Sequence, residues 1–454
     1  MSDLSPCVSR QDLVRSLETL TGRKDVVLLD YHVKRASSSV EGFASLVLRV
    51  DVSYRLPGED RVHPHVFIVK TLPQTHHHRE MMASSGIFSQ EWLFFSRVAP
   101  LMIKASAGRV QVPLPICYHG FCTKDDASFF LEDLVAAGYR GVNRSYFTEG
   151  LDYAHSSAAM KALGKLHALS VVAEKLLDPD SGGWAESIRN FDEDKVFYVQ
   201  RPGEPRCPSQ DMIEEFLRNF KEMCRETEGL PKKAVTCGAL DKVLDGVFPF
   251  FCRMRQTPPR NRRVIIHGDC WVNNMMFKYV KGEDGADKPA DVKFFDLQMT
   301  RCGHPSTDFL YFLYMSTRKA ARDKYFSTLA EDYHRSFAET FGALVHGPPP
   351  YSLDEFKKDL TGKYKLYGPI IGIIHSPMIM LGDDFLLPNA EDLTDEMMKD
   401  IFQSGGTQKI MHRFRNDPKF RSMIVDNMME FLNSALPNGL ESVETSPIIL
   451  NSDI

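Results

Sequence analysis

The sequence has no hydrophobic run long enough to cross a membrane. Among its 454 residues, no uninterrupted apolar stretch approaches the ~20 residues that a membrane-spanning helix needs. The longest candidate, residues 370–381, is broken by His375, Ser376 and Pro377 and is predicted to be a buried helix or core segment. The amino terminus has no basic start followed by an apolar run, so we expect no secretory signal. These features predict a soluble protein of the cytoplasm.

An excess of positive charge and a metal-binding cysteine pattern are also missing. The formal net charge is -5 at pH 7, whereas a nucleic-acid partner requires a basic surface. The 9 cysteines are scattered between Cys7 and Cys302, and no C-x-x-C pair supports a zinc site or a dithiol motif. The absence of repeats and low-complexity tracts argues against solenoid and disordered classes. We expect no nucleic-acid partner, and the sequence indicates no obligate protein partner.

The patterns that are present divide the chain into a strand-rich part and a helix-rich part. An opening helix is predicted over residues 8–22, with Ser9 as its N-cap. Apolar and β-branched residues then predict four strands, at residues 43–54, 65–71, 112–115 and 129–131. One helix, over residues 88–102, lies between the second and third of these strands. This order predicts a small antiparallel sheet that carries one helix.

Helices dominate the sequence after residue 153. Helical patterns occupy residues 154–169, 210–225, 240–254, 308–318 and 324–341, and a short β block lies at residues 263–295. The whole order predicts an α+β, bilobal protein. We expect a small β-rich N-terminal lobe at residues 1–132, a hinge at 133–138 and a large, mostly helical C-terminal lobe at 139–454.

The strongest local signal is the segment VIIHGDCWVNNMMF at residues 264–277. An apolar strand leads into His267, Gly268 and Asp269, and Asn274 follows five residues after Asp269. A second apolar strand, residues 292–295, leads directly into Asp296. The D-x-x-x-x-N spacing is that of kinase catalytic loops.

Phosphoryl transfer explains why these residue types occur together. The reaction needs a carboxylate that accepts the proton of the attacking hydroxyl, and oxygen ligands for magnesium. The segment therefore predicts Asp269 as the base, with Asn274 and Asp296 as magnesium ligands. His267 is grouped with Asp269 and Asn274 in the predicted catalytic set, although a histidine alone is more often a buried, hydrogen-bonded residue. An isolated Asp–Asn pair is more often a turn former, so the prediction depends on the whole combination.

The strand-rich part contains candidates for binding ATP. Lys70 ends the strand HVFIVK, and Glu91 lies in the apolar helix FSQEWLFF, where a buried ion pair with the lysine is the predicted role. Residues 37–45 are predicted to cover the phosphates with small side chains and backbone N–H groups, among them Gly42 and Ser45. This loop has one glycine instead of a glycine series.

Together these stretches resemble the ecdysteroid kinase-like family, also called CHK kinase-like. It belongs to the larger group of aminoglycoside phosphotransferases and choline kinases, which have a protein-kinase-like fold. The resemblance runs in family order from about residue 40 to residue 318, through EGFASLVLRV, VFIVK, FSQEWLFF, FFLEDLVAAGYR, ALGKLHALS, VIIHGDCWVNNMMF and VKFFDLQMTRCGHPSTDFLYFLYMST. The chain departs from the family pattern at Gly42 and Leu297, where members commonly have Asn and Phe.

The resemblance implies a role for each matching position. Lys70 and Glu91 would form the phosphate-orienting ion pair, and the segment from Glu132 to Leu134 would lie beside the adenine. The base and the two magnesium ligands would be the residues already predicted from the catalytic segment. Asp308 would be the structural carboxylate that the family keeps after the metal-binding aspartate.

The resemblance favours a steroid hydroxyl, such as that of an ecdysteroid, as the acceptor of the phosphoryl group of ATP. A choline-like, aminoglycoside-type or xenobiotic alcohol stays open. A choline-type site would use aromatic and acidic residues, for which Tyr364, Tyr367, Asp383 and Asp384 are candidates. A steroid pocket would instead use Ile370, Ile371, Met378, Met380 and Leu381. For each of these residues, packing in the core is the simpler interpretation.

Two further interpretations, a protein kinase and an inactive pseudokinase, are disfavoured by the sequence. A protein substrate is disfavoured because Trp271 stands where protein kinases commonly have a lysine, and because the segment between Asp296 and Asp308 is short. A catalytically inactive, nucleotide-binding pseudokinase is disfavoured because the lysine, its glutamate, the base and both metal ligands are all present.

Overall fold

The computed structural model describes residues 4–36, 45–73, 79–80, 82, 85–143, 145–177, 183–184, 188, 191, 194–200, 202–203, 206–228, 230, 238–381 and 406–436. Within these residues, the strand-rich part forms one antiparallel sheet of five strands in the order β1-β2-β3-β5-β4. The strands are β1 (Val27–Arg35), β2 (Leu46–Arg55), β3 (Val62–Thr71), β4 (Cys117–Cys122) and β5 (Ala127–Glu132).

Alternation of apolar side chains explains how this sheet is covered. Every second residue of β2 from Leu46 to Val52 is buried, as expected for a strand with one face on a core. Leu13 and Leu17 of helix α1 (Arg10–Thr21) belong to the same hydrophobic cluster. The predicted cap of this helix is confirmed, since the Ser9 hydroxyl accepts the N–H of Gln11 at 3.2 Å.

The helix that follows β3 changes its winding along its length. It begins as α2 (Ile87–Leu93), widens into a π-helical turn at Phe94–Val98 and continues as α3 (Ala99–Ser106). Phe94, Phe95 and Val98 of the π-helical turn are all buried. The helix predicted over residues 88–102 is therefore confirmed.

The strand predicted at residues 112–115 is wrong. Pro113 and Pro115 have no N–H to donate to a sheet, so this segment forms a tight turn in which Leu114 donates to the carbonyl of Val112 at 2.9 Å. The carbonyl of Pro113 instead accepts the N–H of Phe294 at 2.9 Å. The segment thus joins the first sheet to the strand that precedes Asp296.

Helices make up most of the remaining chain. Helix α5 is buried along much of its length and packs against α9. The helices are α4 (Tyr146–Glu149), α5 (Tyr153–Glu174), α6 (Pro208–Arg225), α7 (Ala239–Met254), α8 (Pro305–Ser316), α9 (Lys319–Leu344), α10 (Leu353–Thr361), α11 (Tyr367–Ile374), α12 (Ser376–Met380), α13 (Gly406–Asn416) and α14 (Pro418–Ala435).

Two small sheets within this helical part position the catalytic segment. One pairs β7 with β10, and the other has the order β6-β8-β9. The strands are β6 (Tyr139–Arg140), β7 (Val264–Ile266), β8 (Met275–Lys281), β9 (Asp287–Phe294) and β10 (Arg301–Gly303). Asp269 and Asn274 therefore lie between β7 and β8, and Asp296 lies between β9 and β10.

The apolar segment at residues 370–381 is part of the core, as predicted. Helix α11 is buried at all eight positions, and no helix among the described residues is long and apolar enough to cross a bilayer. The predicted α+β class, with a small antiparallel sheet before a mostly helical part, is confirmed. The boundaries at 1–132, 133–138 and 139–454 stay a prediction.

Candidate active site

The loop between β7 and β8 brings the predicted base and a predicted magnesium ligand into direct contact. The Asn274 amide nitrogen Nδ2 donates to the Asp269 carboxylate oxygen Oδ2 at 2.8 Å and to the Asp269 backbone carbonyl at 2.9 Å. This leaves the amide oxygen Oδ1 of Asn274 as the atom for a cation. Burial raises the pKa of Asp269, while the Tyr311 and Asn274 hydrogen bonds oppose that rise.

Asp296 stands opposite this loop in an unusual backbone conformation. Its φ is 61°, in the left-handed region that residues other than glycine rarely adopt. The Phe295 N–H donates to the Asn274 carbonyl at 3.0 Å, which fixes the approach of one loop to the other. Such strain is typical of functional positions, where the surrounding structure holds it. The carboxylate is 27% exposed, so it stays accessible to a ligand.

Lys70 lies between two carboxylates. Its Nζ is 2.6 Å from Oε2 of Glu91, and it also forms an ion pair with Oδ1 of Asp296. Burial by itself would lower the lysine pKa, but the two carboxylates outweigh it and raise the pKa above its ordinary value. The other oxygen of Glu91 accepts the N–H of Leu297 at 3.1 Å. The predicted Lys70–Glu91 pair is thus placed directly beside the predicted metal ligand.

His267 is fully buried and binds backbone groups. Its Nε2 is 3.0 Å from the carbonyl oxygen of Phe295, and its Nδ1 is 3.4 Å from the N–H of Asp269. A carbonyl oxygen can only accept and an N–H can only donate, so Nε2 carries the proton and Nδ1 accepts. The imidazole thus links the two loops, and a catalytic role for His267 stays a prediction.

Asp308 holds the turn in which Gly268 lies. Its carboxylate accepts the N–H of His267 at 2.6 Å and that of Gly268 at 2.9 Å, and it lies 3.2 Å from Nε2 of His167. Burial would raise the pKa of Asp308, but these donors and the nearby histidines lower it below its ordinary value. The structural role implied by the resemblance agrees with this geometry.

Side chains in and beside the predicted hinge bind neighbouring strands and the next turn. The Glu132 carboxylate forms an ion pair with Lys293 of β9 at 2.7 Å and accepts the N–H of Ile116 at 3.1 Å. Leu134 is buried. Asp133 lies inside the predicted segment but was given no role of its own; it accepts the N–H groups of the next turn at 2.9 and 3.1 Å and pairs with Arg49 of β2. Contact of this segment with adenine stays a prediction.

The predicted phosphate loop falls largely outside the described residues. Gly42 lies in the part that is not described, as do Asp383 and Asp384 of the choline alternative, whereas Ser45 is half-buried immediately before β2. A phosphate-binding role for Gly42 and Ser45 stays a prediction.

The sequence alone did not assign a role to two residues near the predicted base. Cys270 is fully buried and its thiol pKa is raised well above its ordinary value by burial, which keeps it protonated and unsuited to nucleophilic attack. Tyr311 of α8 was not predicted, yet its hydroxyl donates to Oδ1 of Asp269 at 2.7 Å. The only available signal was its position, three residues after Asp308.

A sequence profile of the ecdysteroid kinase-like family matches residues 39–345. The chain belongs to this family. The match covers strands β2 to β5 of the first sheet, the Lys70–Glu91 pair, both loops of the candidate site and α8. Membership of the ecdysteroid kinase-like family, together with this arrangement, identifies the protein as a small-molecule kinase.

Other comparisons add little to the family match. A search of curated proteins returns no match. A solved structure of the aminoglycoside phosphotransferase APH(3'')-Id from Streptomyces rimosus, in complex with ADP and streptomycin, is 13% identical. That alignment covers 76% of this chain and 100% of the other, with a TM-score of 0.27.

Proposed function

We propose that this kinase transfers the γ-phosphoryl group of ATP to a hydroxyl group of an ecdysteroid or related steroid alcohol, in a reaction that requires magnesium. The observation that carries the proposal is the convergence of Lys70, Asp296, Asn274 and Asp269 from β3 and two separate loops. A base beside oxygen ligands and a charged lysine is what phosphoryl transfer requires.

Each residue has a distinct part in the proposed reaction. Asp269 accepts the proton of the acceptor hydroxyl while the hydroxyl oxygen forms a bond to the γ-phosphorus of ATP. The bond between the γ-phosphorus and the oxygen that bridges it to the β-phosphate breaks, and ADP leaves. Lys70 contributes positive charge to the phosphates and is oriented by Glu91. Asn274 Oδ1 and the Asp296 carboxylate are hard oxygen donors, which fit magnesium. When bound, magnesium would neutralise charge on the phosphates.

The choline alternative has less support from the described residues. Tyr367 stacks on Phe251 at 5.3 Å between ring centroids, and its hydroxyl accepts from Arg255 at 3.1 Å. Tyr364 stacks on His304 at 4.3 Å. Both rings are buried in these contacts, so neither offers an open face to a quaternary ammonium group. Family membership therefore remains the main support for a steroid acceptor.

The core interpretation also applies to four of the residues considered for a steroid pocket, whereas Met378 is partly buried. Ile370 and Ile371 are fully buried in the cluster that contains α8 and α14. Their packing supports the fold, and the proposal of a steroid acceptor does not depend on them.

The test is transfer of labelled γ-phosphate from ATP with magnesium to ecdysteroids, other sterols, choline-like amines, aminoglycosides and sugars. We expect a labelled ecdysteroid, and we expect Asp269→Asn to lose at least ~100-fold in rate while still binding MgATP. The matched control is Asp245→Asn, which changes an exposed aspartate of α7.

The outcomes separate the alternatives. Label on an amine or a sugar would replace the steroid as acceptor and retain the kinase. MgATP binding without transfer to any acceptor would favour the inactive, nucleotide-binding alternative. Wild-type transfer by Asp269→Asn would overturn the assignment of the base.

A further inference from the structure

Helix α8 packs against the loop between β7 and β8, here called the catalytic loop, and binds it at several points. Near its start, Asp308 accepts the N–H groups of His267 and Gly268. At its end, the Ser316 hydroxyl accepts the N–H of Val272 at 3.1 Å. Residues three apart on a helix share a face, so Tyr311 faces the loop in the same way as Asp308.

Tyr311 completes the contacts to the carboxylate of Asp269. Its hydroxyl donates to Oδ1 at 2.7 Å, and the amide of Asn274 donates to Oδ2 at 2.8 Å. With one donor on each oxygen, rotation of the carboxylate about its Cβ–Cγ bond is restrained. Each oxygen keeps lone-pair capacity for a further hydrogen bond, which an acceptor hydroxyl can use.

The tyrosine itself is held firmly in place. Its ring is buried and lies 5.9 Å, between ring centroids, from the ring of His375. Burial, together with the nearby negative charge of Asp269, raises the pKa of Tyr311 well above its ordinary value. The phenol therefore remains a hydrogen-bond donor at neutral pH and is not itself a base.

We propose that Tyr311 is a positioning residue that fixes the carboxylate of Asp269 in the orientation that accepts the acceptor's proton. This inference rests on the proposed role of Asp269 as the base. Loss of the phenol hydroxyl frees one side of the carboxylate but leaves Lys70, Asn274 and Asp296 unchanged. The defect is then expected in the rate of transfer and not in the binding of MgATP.

The experiment compares Tyr311→Phe with Tyr314→Phe. Tyr314 lies one turn further along α8, is equally buried and donates its hydroxyl to Glu430 at 3.2 Å, away from the loop. With the acceptor found in the transfer panel, we expect Tyr311→Phe to lower kcat by ~10- to 100-fold. The KM for MgATP should stay within about twofold of wild type, and Tyr314→Phe should keep both constants within about twofold.

Crystal structures of both variants give a second measurement that needs no acceptor. We expect the Asp269 carboxylate to rotate or to occupy several orientations in Tyr311→Phe, and to keep its orientation in Tyr314→Phe. An unchanged carboxylate in Tyr311→Phe, or a kcat equal to that of the control variant, would overturn the inference. Full activity of Asp269→Asn would show that the base assignment has failed, which is a different result.

Discussion

At the residue scale, the state of Lys70 follows from the charges around it. One lysine and two carboxylates, from Glu91 and Asp296, lie together in a largely buried place. Such a group is stable only if the charges are paired and hydrogen-bonded. The raised pKa keeps the lysine charged at neutral pH, and the Leu297 N–H stabilises the second oxygen of Glu91. The lysine is therefore charged and held in place, as its proposed part in binding the phosphates requires.

We predict that Glu91→Gln weakens both catalysis and stability. The glutamine keeps the shape and the contact with Leu297, but it removes the negative charge that orients Lys70. We expect kcat/KM for MgATP to fall at least ~10-fold, and the free energy of unfolding to fall by ~1–3 kcal/mol. Steady-state kinetics and urea unfolding measure the two effects.

The control for this prediction is Glu59→Gln. Glu59 is 43% exposed and pairs with His63 at 2.8 Å, so its loss should change stability by less than ~0.5 kcal/mol. If Glu91→Gln behaved like Glu59→Gln in both measurements, the orienting role of Glu91 would be wrong.

We predict that Gly268→Ala is strongly destabilising, because two separate effects add. The φ of Gly268 is +81°, and a Cβ at this position would lie 2.1 Å from the carbonyl oxygen of Met299. The left-handed conformation costs a non-glycine residue ~1–2 kcal/mol, and displacement of the backbone adds to it. We expect at least ~3 kcal/mol loss in the free energy of unfolding.

Gly285→Ala isolates the conformational part of that effect. Its φ is +74°, and nothing lies within 4 Å of the position of its Cβ. Urea unfolding should show a loss of only ~1 kcal/mol for this variant. Equal losses in the two variants would contradict the predicted clash.

Residue identity and spacing were sufficient to single out five residues that the structure brings together. Lys70 and Glu91 lie in a strand and a helix that the local pattern predicts, and Asp269, Asn274 and Asp296 follow predicted strands. Tyr311 could not be found in this way, since it reaches Asp269 across 42 residues of chain, and the pairing of Asp133 with Arg49 spans 84 residues. Such contacts depend on how distant elements pack against each other, which a local pattern does not contain. The same reason applies to His267, whose Nε2 donates to the carbonyl of Phe295, 28 residues further along the chain.

At the element scale, the long helices before residue 345 were predicted, α14 was not, and the strands were predicted only in part. The predicted helix over residues 240–254 corresponds to α7, because a periodic apolar face is a long and clear signal. Strand β1 was missed, since only two of its nine residues are buried and it gives little apolar alternation. The error at residues 112–115 came from counting apolar residues and discounting two prolines.

Helix α8 also permits a prediction about pH. Asp308 has a lowered pKa in the folded protein, so its contribution to stability is present above the ordinary aspartate pKa of about 3.9 and is lost as pH falls through the lower folded value. Asp308→Asn should lower the free energy of unfolding by ~2–4 kcal/mol at pH 7. We expect this difference from wild type to stay constant down to about pH 5 and to shrink below about pH 4.

Urea unfolding over a series of pH values tests this prediction. Asp323→Asn is the control, because Asp323 is 57% exposed and pairs only locally with Lys319 of the same helix. Its effect should be small at every pH. A deficit in Asp308→Asn that did not shrink in acid would exclude the charge of Asp308 as its cause.

At the scale of the whole molecule, several contacts between the strand-rich part and the helical part lie around the site. Lys70 of β3 pairs with Asp296, Gln90 of α2 donates to the carbonyl of Thr300 at 2.6 Å, and Glu132 of β5 pairs with Lys293. A ligand that binds both Lys70 and Asp296 therefore adds to contacts that already join the two parts. Binding should then stabilise the molecule as a whole.

We predict that MgATP raises the melting temperature of the protein, and that EDTA abolishes most of this effect. At a concentration 100-fold above Kd, a ligand specific for the folded state adds about 2.7 kcal/mol. Asp296→Asn should lose most of the shift, because it removes one proposed magnesium ligand, whereas Asp269→Asn should retain it.

Thermal unfolding of the wild-type protein and of these two variants, each with ATP, with MgATP, and with MgATP plus EDTA, measures the effect. An equal shift with ATP alone would show that the metal does not contribute to binding. An unchanged shift in Asp296→Asn would instead assign magnesium to other residues, because the carboxylate of Asp296 would not be needed to hold it.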